Sequence, residues 1–449
     1  MKFLCCRDRH KYYPRGMVEI LMSEERTGCT EEELRAVLGP FLTSAPAWRY
    51  EPQLDPTARE FSGIRALSYD CAEYEGKTTR VFAYLGFPKH SPGERVPGIV
   101  LVHGGTGHAY LPWVKMWNER GYAAIAMDNT GFYPSRRDCG KAEMRDPDGF
   151  LRDPALLAPE GYINGPDNDG VSRYEKPVKA QWMTHALCQT AAANSLLRSF
   201  DVVDEDRVGI TGISWGGIIT SLAIGYDDRY AFAIPVYGSG YLGVCYGYLK
   251  NSFGNPNISD CFLAEKRFEK VKMPVLWLCW NRDVHFSINS NTLSYFDTEK
   301  NNEKTALSIV DEMGHSHCAG WTPEISQLYA DSVVFGRGGM VTFLSQPTET
   351  VASAKLRVPS GVKLCGARLF SIGERMRYEK RDQQIPEPAY EWQKTEARID
   401  GNTVSAAIPD GCAGYYIEVS FESGGLHGVS CSGYVEPDQK YKENMKNVS

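Results

Sequence analysis

The sequence predicts an α/β protein: a mostly parallel sheet covered by helices on both faces, followed by a small all-β domain. Three observations predict it. From about residue 62, short continuous apolar runs alternate with helical stretches, the pattern of strands buried on both faces. One of these runs ends in a serine flanked by glycines and leads directly into a helix. Near residue 345 the helical stretches stop, and short alternating strands follow at regular turn spacing.

Taken in order, TEEELRAVLG (30–39) predicts a short helix: Thr30 can cap it, acidic residues fill its first turn and Gly39 can end it. IRALSYD and KTTRVFAYLGFP predict two antiparallel edge strands. PGIVLVHGG predicts a buried strand running into glycines, PWVKMWNERG a helix closed by Gly121, and YAAIAMD the next strand. QWMTHALCQTAAANSLLRSF (181–200) is a long helix, RVGITGISWGG a strand entering a turn, and GIITSLAIGY the helix after it. FAIPVYG, PVLWLCWNRD and KTALSIVDEMG supply three further strands. The Pro-, Gly- and Asp-rich stretch 131–180 interrupts the alternation as a lid-like insertion, and a Tyr/Gly-rich loop at 238–260 is a second pocket wall. After SQPTETVAS, a linker by composition, AKLRVPS, KLCGARLFSIG, TEARIDGNTVSAAIP, GYYIEVSFES and HGVSCSGYVE read as the strands of a β-sandwich. The expected organisation is therefore an N-terminal extension packed on the core (1–61), a catalytic domain (62–344) and a β-sandwich (345–440).

Composition narrows the function. A net charge of -7 and the absence of a basic cluster disfavour nucleic acid as a partner. No apolar stretch reaches membrane-spanning length, and the apolar run at Phe3–Cys6 is too short for a signal peptide, so a cytoplasmic location is expected. The 13 cysteines form no CxxC pair and sit mostly in apolar contexts, which predicts free buried thiols rather than disulfides. No Cys/His spacing suits zinc and no DxDxDG loop suits calcium, although Asp146, Asp148, Asp153, Asp167 and Asp169 are clustered loop acids. No metal or cofactor is expected.

Chemistry concentrates in a few motifs. Gly212-Ile213-Ser214-Trp215-Gly216-Gly217 lies between an apolar strand and a helix, the context of a nucleophile elbow. Its glycines permit close approach around a strained turn, so the Ser214 hydroxyl stands at the carboxyl edge of the sheet. A serine needs a base, and the base needs an acid to orient it. Asp283 closes the strand VLWLCWNRD and is the expected acid, with Asp311 as competitor. EMGHSH offers two bases; His315, directly after Gly314, is favoured, and His317 is then a supporting or pocket residue. His285 reads as packing. His103-Gly104-Gly105-Thr106-Gly107 is the expected oxyanion loop, with one donor from Gly105 or Thr106 and the other from Trp215. His103, His108 and Tyr110 are further candidate pocket residues, whereas Trp113 and Trp117 share one helical face and read as core.

Together HGGTGHAY, GYAAIAMD, GISWGG, WNRDVHF and MGHSH resemble the dienelactone-hydrolase and acetylxylan-esterase-like branch of the α/β hydrolases, near the prolyl-oligopeptidase-type catalytic domains. The resemblance covers about 62–340. It implies an eight-stranded, mostly parallel sheet and ester hydrolysis through an acyl-enzyme, with Ser214 as nucleophile, Asp283 as acid and His315 as base. It departs from dienelactone hydrolases proper in carrying serine rather than cysteine, and from prolyl oligopeptidases in having no propeller-like repeat before the hydrolase region. The resulting expectation is a serine esterase acting on short acyl esters, with acetylated sugars or oligosaccharides as the implied substrates. The alternatives are a prolyl-oligopeptidase-type peptidase and a non-catalytic binding protein on the same fold. The sequence does not fix the oligomeric state.

Overall fold

The computed structural model describes residues 29–56, 59–130, 165–247, 249–379 and 387–437. Helix α1 (Glu31–Thr43) opens on a capping box: Thr30 Oγ1 accepts from the Glu33 N–H, and the Glu33 carboxylate accepts from the Thr30 N–H. Gly39 does not end it. The helix runs through Pro40 to Thr43, because Phe41 and Leu42 pack on the core and the Phe41 carbonyl accepts from Ser195 Oγ. Tertiary packing outweighs the local breaker signal here.

The main sheet has nine strands among the described residues, in the order β1-β2-β3-β5-β4-β6-β7-β8-β9. These are β1 (Trp48–Tyr50), β2 (Ile64–Tyr74), β3 (Lys77–Gly86), β4 (Val96–Val102), β5 (Ala123–Met127), β6 (Val203–Ile213), β7 (Ala233–Val236), β8 (Leu276–Trp280) and β9 (Ala306–Val310). From β5 across to β9 all neighbours are parallel, and β1, β2 and β3 add an antiparallel edge. The count exceeds the eight strands implied by the resemblance by one. The extra strand is β1, which pairs with Leu67–Tyr69 and covers an edge that would otherwise expose unpaired N–H and C=O groups.

Helices α2 (Leu111–Glu119), α3 (Trp182–Arg198), α4 (Trp215–Tyr226), α5 (Ile288–Glu299), α6 (His317–Trp321) and α7 (Glu324–Val334) complete the layers. Helix α3 is buried along nearly its whole length and is rich in alanine, which brings it close to the sheet. Trp113 and Trp117 of α2 are core residues, as their spacing predicts. The strand order and the strand–serine–helix turn between β6 and α4 make this an α/β-hydrolase fold. No helix among the described residues is long and apolar enough to cross a membrane. The described cysteines are free thiols, and most are buried.

Beyond the main sheet, β10 (Thr342–Phe343) and β11 (Ser353–Arg357) begin the antiparallel C-terminal region. There follow β12 (Lys363–Ile372), the short ribbon β13 (Tyr378–Glu379) and β14 (Glu387–Pro388), then β15 (Gln393–Glu396), β16 (Arg398–Asp400), β17 (Thr403–Ser405), β18 (Gly414–Ser423) and β19 (Leu426–Cys431). They form two four-stranded sheets, β10-β11-β17-β16 and β15-β12-β18-β19. The segment TEARIDGNTVS is a hairpin rather than one strand: Gly401, at φ +58, turns the chain between β16 and β17. The second sheet lies against the β9 edge of the main one, where the Ile309 N–H meets Cys431 Sγ at 3.4 Å.

Candidate active site

Ser214 sits between β6 and α4 at φ +58 and ψ -118, a conformation that L-residues seldom hold and that costs about 1–3 kcal/mol. The surrounding backbone enforces it. The Ser214 N–H donates to the Val236 carbonyl at 2.9 Å. A Cβ on Gly212 would lie 2.1 Å from the Gly216 carbonyl oxygen, and one on Gly216 would lie 2.0 Å from the Val102 carbonyl oxygen. The glycines flanking the serine are therefore required by contact, not merely tolerated.

The structure brings Ser214, His315 and Asp283 together. His315 Nε2 is 3.0 Å from Ser214 Oγ, and His315 Nδ1 is 2.7 Å from Asp283 Oδ2. Asp283 is fully buried, and its other oxygen accepts the backbone N–H groups of His285 at 2.8 Å and Phe286 at 3.0 Å. Those N–H groups are fixed donors, so Oδ2 is left for the imidazole. The chain reverses before His315 with Glu312 at φ +57 and Gly314 at φ +77, as the Gly-His pair suggests. Asp311, the competing acid, is engaged elsewhere, with Asn281 and Lys394.

Aromatic rings hold the imidazole. Tyr237 stacks on His315 at 4.6 Å between centroids and Phe286 lies parallel to it at 6.0 Å, while the His285 ring meets it at 4.6 Å, tilted by 39°. Burial, with the nearby His315, pushes the His285 imidazole down to about 4. His285 is thus uncharged at neutral pH and does not repel a protonated His315. The sequence does not single out Tyr237, and His285, which its context assigns to packing, packs on the imidazole itself. The available signal is position: Tyr237 directly follows β7, the strand next to β6, and His285 lies two residues past Asp283.

The glycine loop after β4 lies directly against the serine. A Cβ on Gly104 would be 3.1 Å from Ser214 Cβ, and one on Gly105 would be 2.8 Å from Trp215 Cδ1. Thr106 is exposed and, at φ +60, turns the loop. The Gly104 N–H donates to His317 Nε2 at 2.9 Å. That bond makes Nε2 an acceptor, so the His317 proton is on Nδ1, 3.1 Å from Tyr110 Oη. Within the loop, Gly105 and Thr106 N–H groups are not consumed by described backbone partners, and the Trp215 N–H opens α4 without an intrahelical acceptor.

The four expected pocket residues are mostly interior braces. His103 is 1% exposed; its Nε2 accepts the Asn129 N–H at 3.0 Å, so its Nδ1–H donates to the Gly104 carbonyl at 2.7 Å. His108 and Tyr110 are also buried, with their rings tilted against each other at 4.1 Å between centroids, and Tyr110 leads on to His317. His317 is half-buried. The Trp215 indole packs against Trp182 and Phe253, and a Cβ on Gly170 would reach it at 2.6 Å. Parts of both expected wall loops therefore meet on Trp215. Most of the 131–180 insertion, with Asp146, Asp148 and Asp153, lies outside the described residues. Among those residues no group of His, Cys, Asp and Glu is arranged to hold a metal ion.

With this geometry in place, comparison with known proteins gives a partial family match. The prolyl oligopeptidase family of peptidases matches residues 163–255, which include Ser214 but neither Asp283 nor His315. No curated protein matches the chain. Among solved structures, an acetyl xylan esterase from Paenibacillus sp. is similar at 17% identity and a TM-score of 0.45, over 68% of this chain and 95% of that one. Acetyl xylan esterase 1 from Thermoanaerobacterium sp. is similar at 16% identity and a TM-score of 0.46, over 72% and 99%. An acylaminoacyl peptidase from Pyrococcus horikoshii is similar at 16% identity and a TM-score of 0.39, over 56% of this chain and 37% of that one. At such values the assignment of the fold rests on the strand order and the elbow themselves.

Proposed function

We propose that this α/β-hydrolase-fold chain is a serine esterase that cleaves short acyl esters in two steps. The observation that carries the proposal is the single imidazole bridging a strained serine and a buried carboxylate. His315 Nε2 takes the Ser214 proton as Oγ attacks the ester carbonyl. Asp283 keeps the Nδ1–H tautomer in place and stabilises the imidazolium. The N–H groups of Trp215 and of Gly105 or Thr106 receive the oxyanion. His315 then protonates the leaving alcohol, and a water activated by the same imidazole releases the acid. A small-molecule ester is the substrate class, and acetylated sugars or oligosaccharides are the first natural candidates to test. The proposed location is cytoplasmic.

The test is hydrolysis of nitrophenyl acetate, butyrate and octanoate. We expect kcat/KM to be highest on acetate and to fall by at least about ten-fold by octanoate. Equal or rising rates with chain length would remove the short-acyl reading. The partial match to the prolyl oligopeptidase family favours one alternative, a peptidase using the same three residues. Turnover of aminoacyl-nitroanilides in preference to nitrophenyl acetate would select it.

The two histidines are separable. His315→Ala is expected to lower kcat by at least about 10⁴-fold, because among the described residues His315 Nε2 is the base that faces the Ser214 hydroxyl. His317→Ala frees the Gly104 N–H and loosens the loop beside the serine, and a loss of about ten-fold in kcat is expected. If His317→Ala alone abolishes turnover, the base is misassigned.

A further inference from the structure

We infer that the C-terminal β-sheets position the catalytic apparatus, by holding the loop that carries Asp283 and the loop that carries His315 at a fixed separation. The inference rests on the triad reading above.

Asn281, the first residue after β8, is 1% exposed and is gripped from four directions. Its carbonyl accepts Tyr390 Oη at 3.1 Å and Trp392 Nε1 at 2.9 Å. Its side-chain amide donates to Tyr416 Oη at 3.2 Å and to Asp311 Oδ1 at 3.0 Å. Asp311 follows β9, and its other oxygen pairs with Lys394 of β15. Asp283 lies two residues beyond Asn281, and His315 four beyond Asp311. One hydrogen-bonded cluster therefore ties the roots of both loops to each other and to the C-terminal sheets.

The gripping side chains are stiff. Tyr416 stacks on Phe370 of the neighbouring strand at 4.8 Å and 7°, and Trp392 meets Tyr416 edge-on at 5.1 Å. Aromatic residues with two side-chain torsions, packed on one another, fix a position better than flexible charged chains do. The wall loop is held in a similar way, through Tyr246 Oη to the Glu436 carboxylate at 2.8 Å. Sheets that merely shielded the β9 edge would need none of these bonds to the strand-end loops.

Catalytic hydrogen bonds tolerate little displacement: a shift of about 1 Å costs on the order of 10²-fold. The test compares Tyr390→Phe, which removes one donor to the Asn281 carbonyl and keeps its ring, with Trp392→Phe, which removes the other donor and leaves a smaller aromatic ring, and with the double variant. The control is Lys363→Ala, in an exposed pair with Glu422 on the same sheet. Two readouts are taken: kcat and KM on nitrophenyl acetate, and the far-downfield proton resonance of His315 Nδ1–H, which needs no substrate.

The expected result is a fall in kcat of about ten-fold in Trp392→Phe, and more in the double variant, with KM little changed. The resonance should broaden or move upfield in the same variants, and the control should leave both readouts alone. A folded double variant with wild-type kcat and a wild-type resonance, losing only thermal stability, overturns the inference. If the wild type turns over no ester, the esterase reading fails separately, and the resonance still decides whether the sheets position the pair. Should Trp392→Phe not fold, Tyr390→Phe carries the same two readouts.

Discussion

Ser214→Ala is expected to lower ester turnover by about 10⁴–10⁶-fold and to abolish stoichiometric labelling by a fluorophosphonate. Nothing else in the described site supplies a nucleophile: the oxygen that His315 Nε2 faces is Ser214 Oγ, at 3.0 Å. The loss should fall on kcat, since removing a hydroxyl leaves the wall residues around Trp215 untouched. The fold should survive, because alanine keeps the Cβ and the backbone bond to Val236. A second variant separates chemistry from strain. Ser214→Gly is equally without a nucleophile, but glycine accepts φ +58 and ψ -118 freely. It should unfold at higher denaturant than Ser214→Ala, by about 1 kcal/mol after the cost of glycine in the unfolded chain. Substantial turnover by Ser214→Ala, measured on nitrophenyl acetate, would remove Ser214 from the mechanism. A wild type that is folded but neither labelled nor active would leave the binding-protein alternative standing.

The parts of this site that were legible in the sequence are those whose constraints are local. A serine held at positive φ between a parallel strand and a helix needs glycine at fixed offsets, because its neighbours touch backbone, and GISWGG states that need in six residues. Asp283 and His315 were legible through chain order, since strand ends on one edge of a parallel sheet face the same side. The contacts that were not legible join residues far apart. His317 reaches Gly104 across 213 positions, and Trp392 reaches Asn281 across 111. No periodicity encodes such a pair. The strand β1 was missed for a different reason: three residues, WRY, show no alternation long enough to read. The continuation of α1 past Gly39 and Pro40 is not legible because the packing of the half-buried Phe41 and Leu42 on the core decides it.

Asp283→Asn is expected to lower kcat by about 10⁴-fold with little change in KM, and the reason lies in the bonds made to its two oxygens. One oxygen accepts two backbone N–H groups, from His285 and Phe286, and neither donor can turn away. An asparagine must therefore place its carbonyl oxygen there, since an NH₂ group facing two N–H donors would bury opposed donors. Its NH₂ then faces His315 Nδ1, where the carboxylate oxygen now stands at 2.7 Å. Only an acceptor nitrogen satisfies that contact, so the imidazole takes the other tautomer and carries its proton on Nε2. In that form it donates towards Ser214 and cannot accept the serine proton. The variant should stay folded, because the two turn-forming bonds to His285 and Phe286 persist. The far-downfield Nδ1–H resonance should disappear, while circular dichroism and the unfolding midpoint remain close to wild type. Raising the pH should not restore turnover, because the block is the tautomer of a neutral ring and not its charge. Wild-type activity in Asp283→Asn would mean that another carboxylate orients His315, and the described residues would then have to supply one within reach of Nδ1; Asp311, held by Asn281 and Lys394, is not placed to do so.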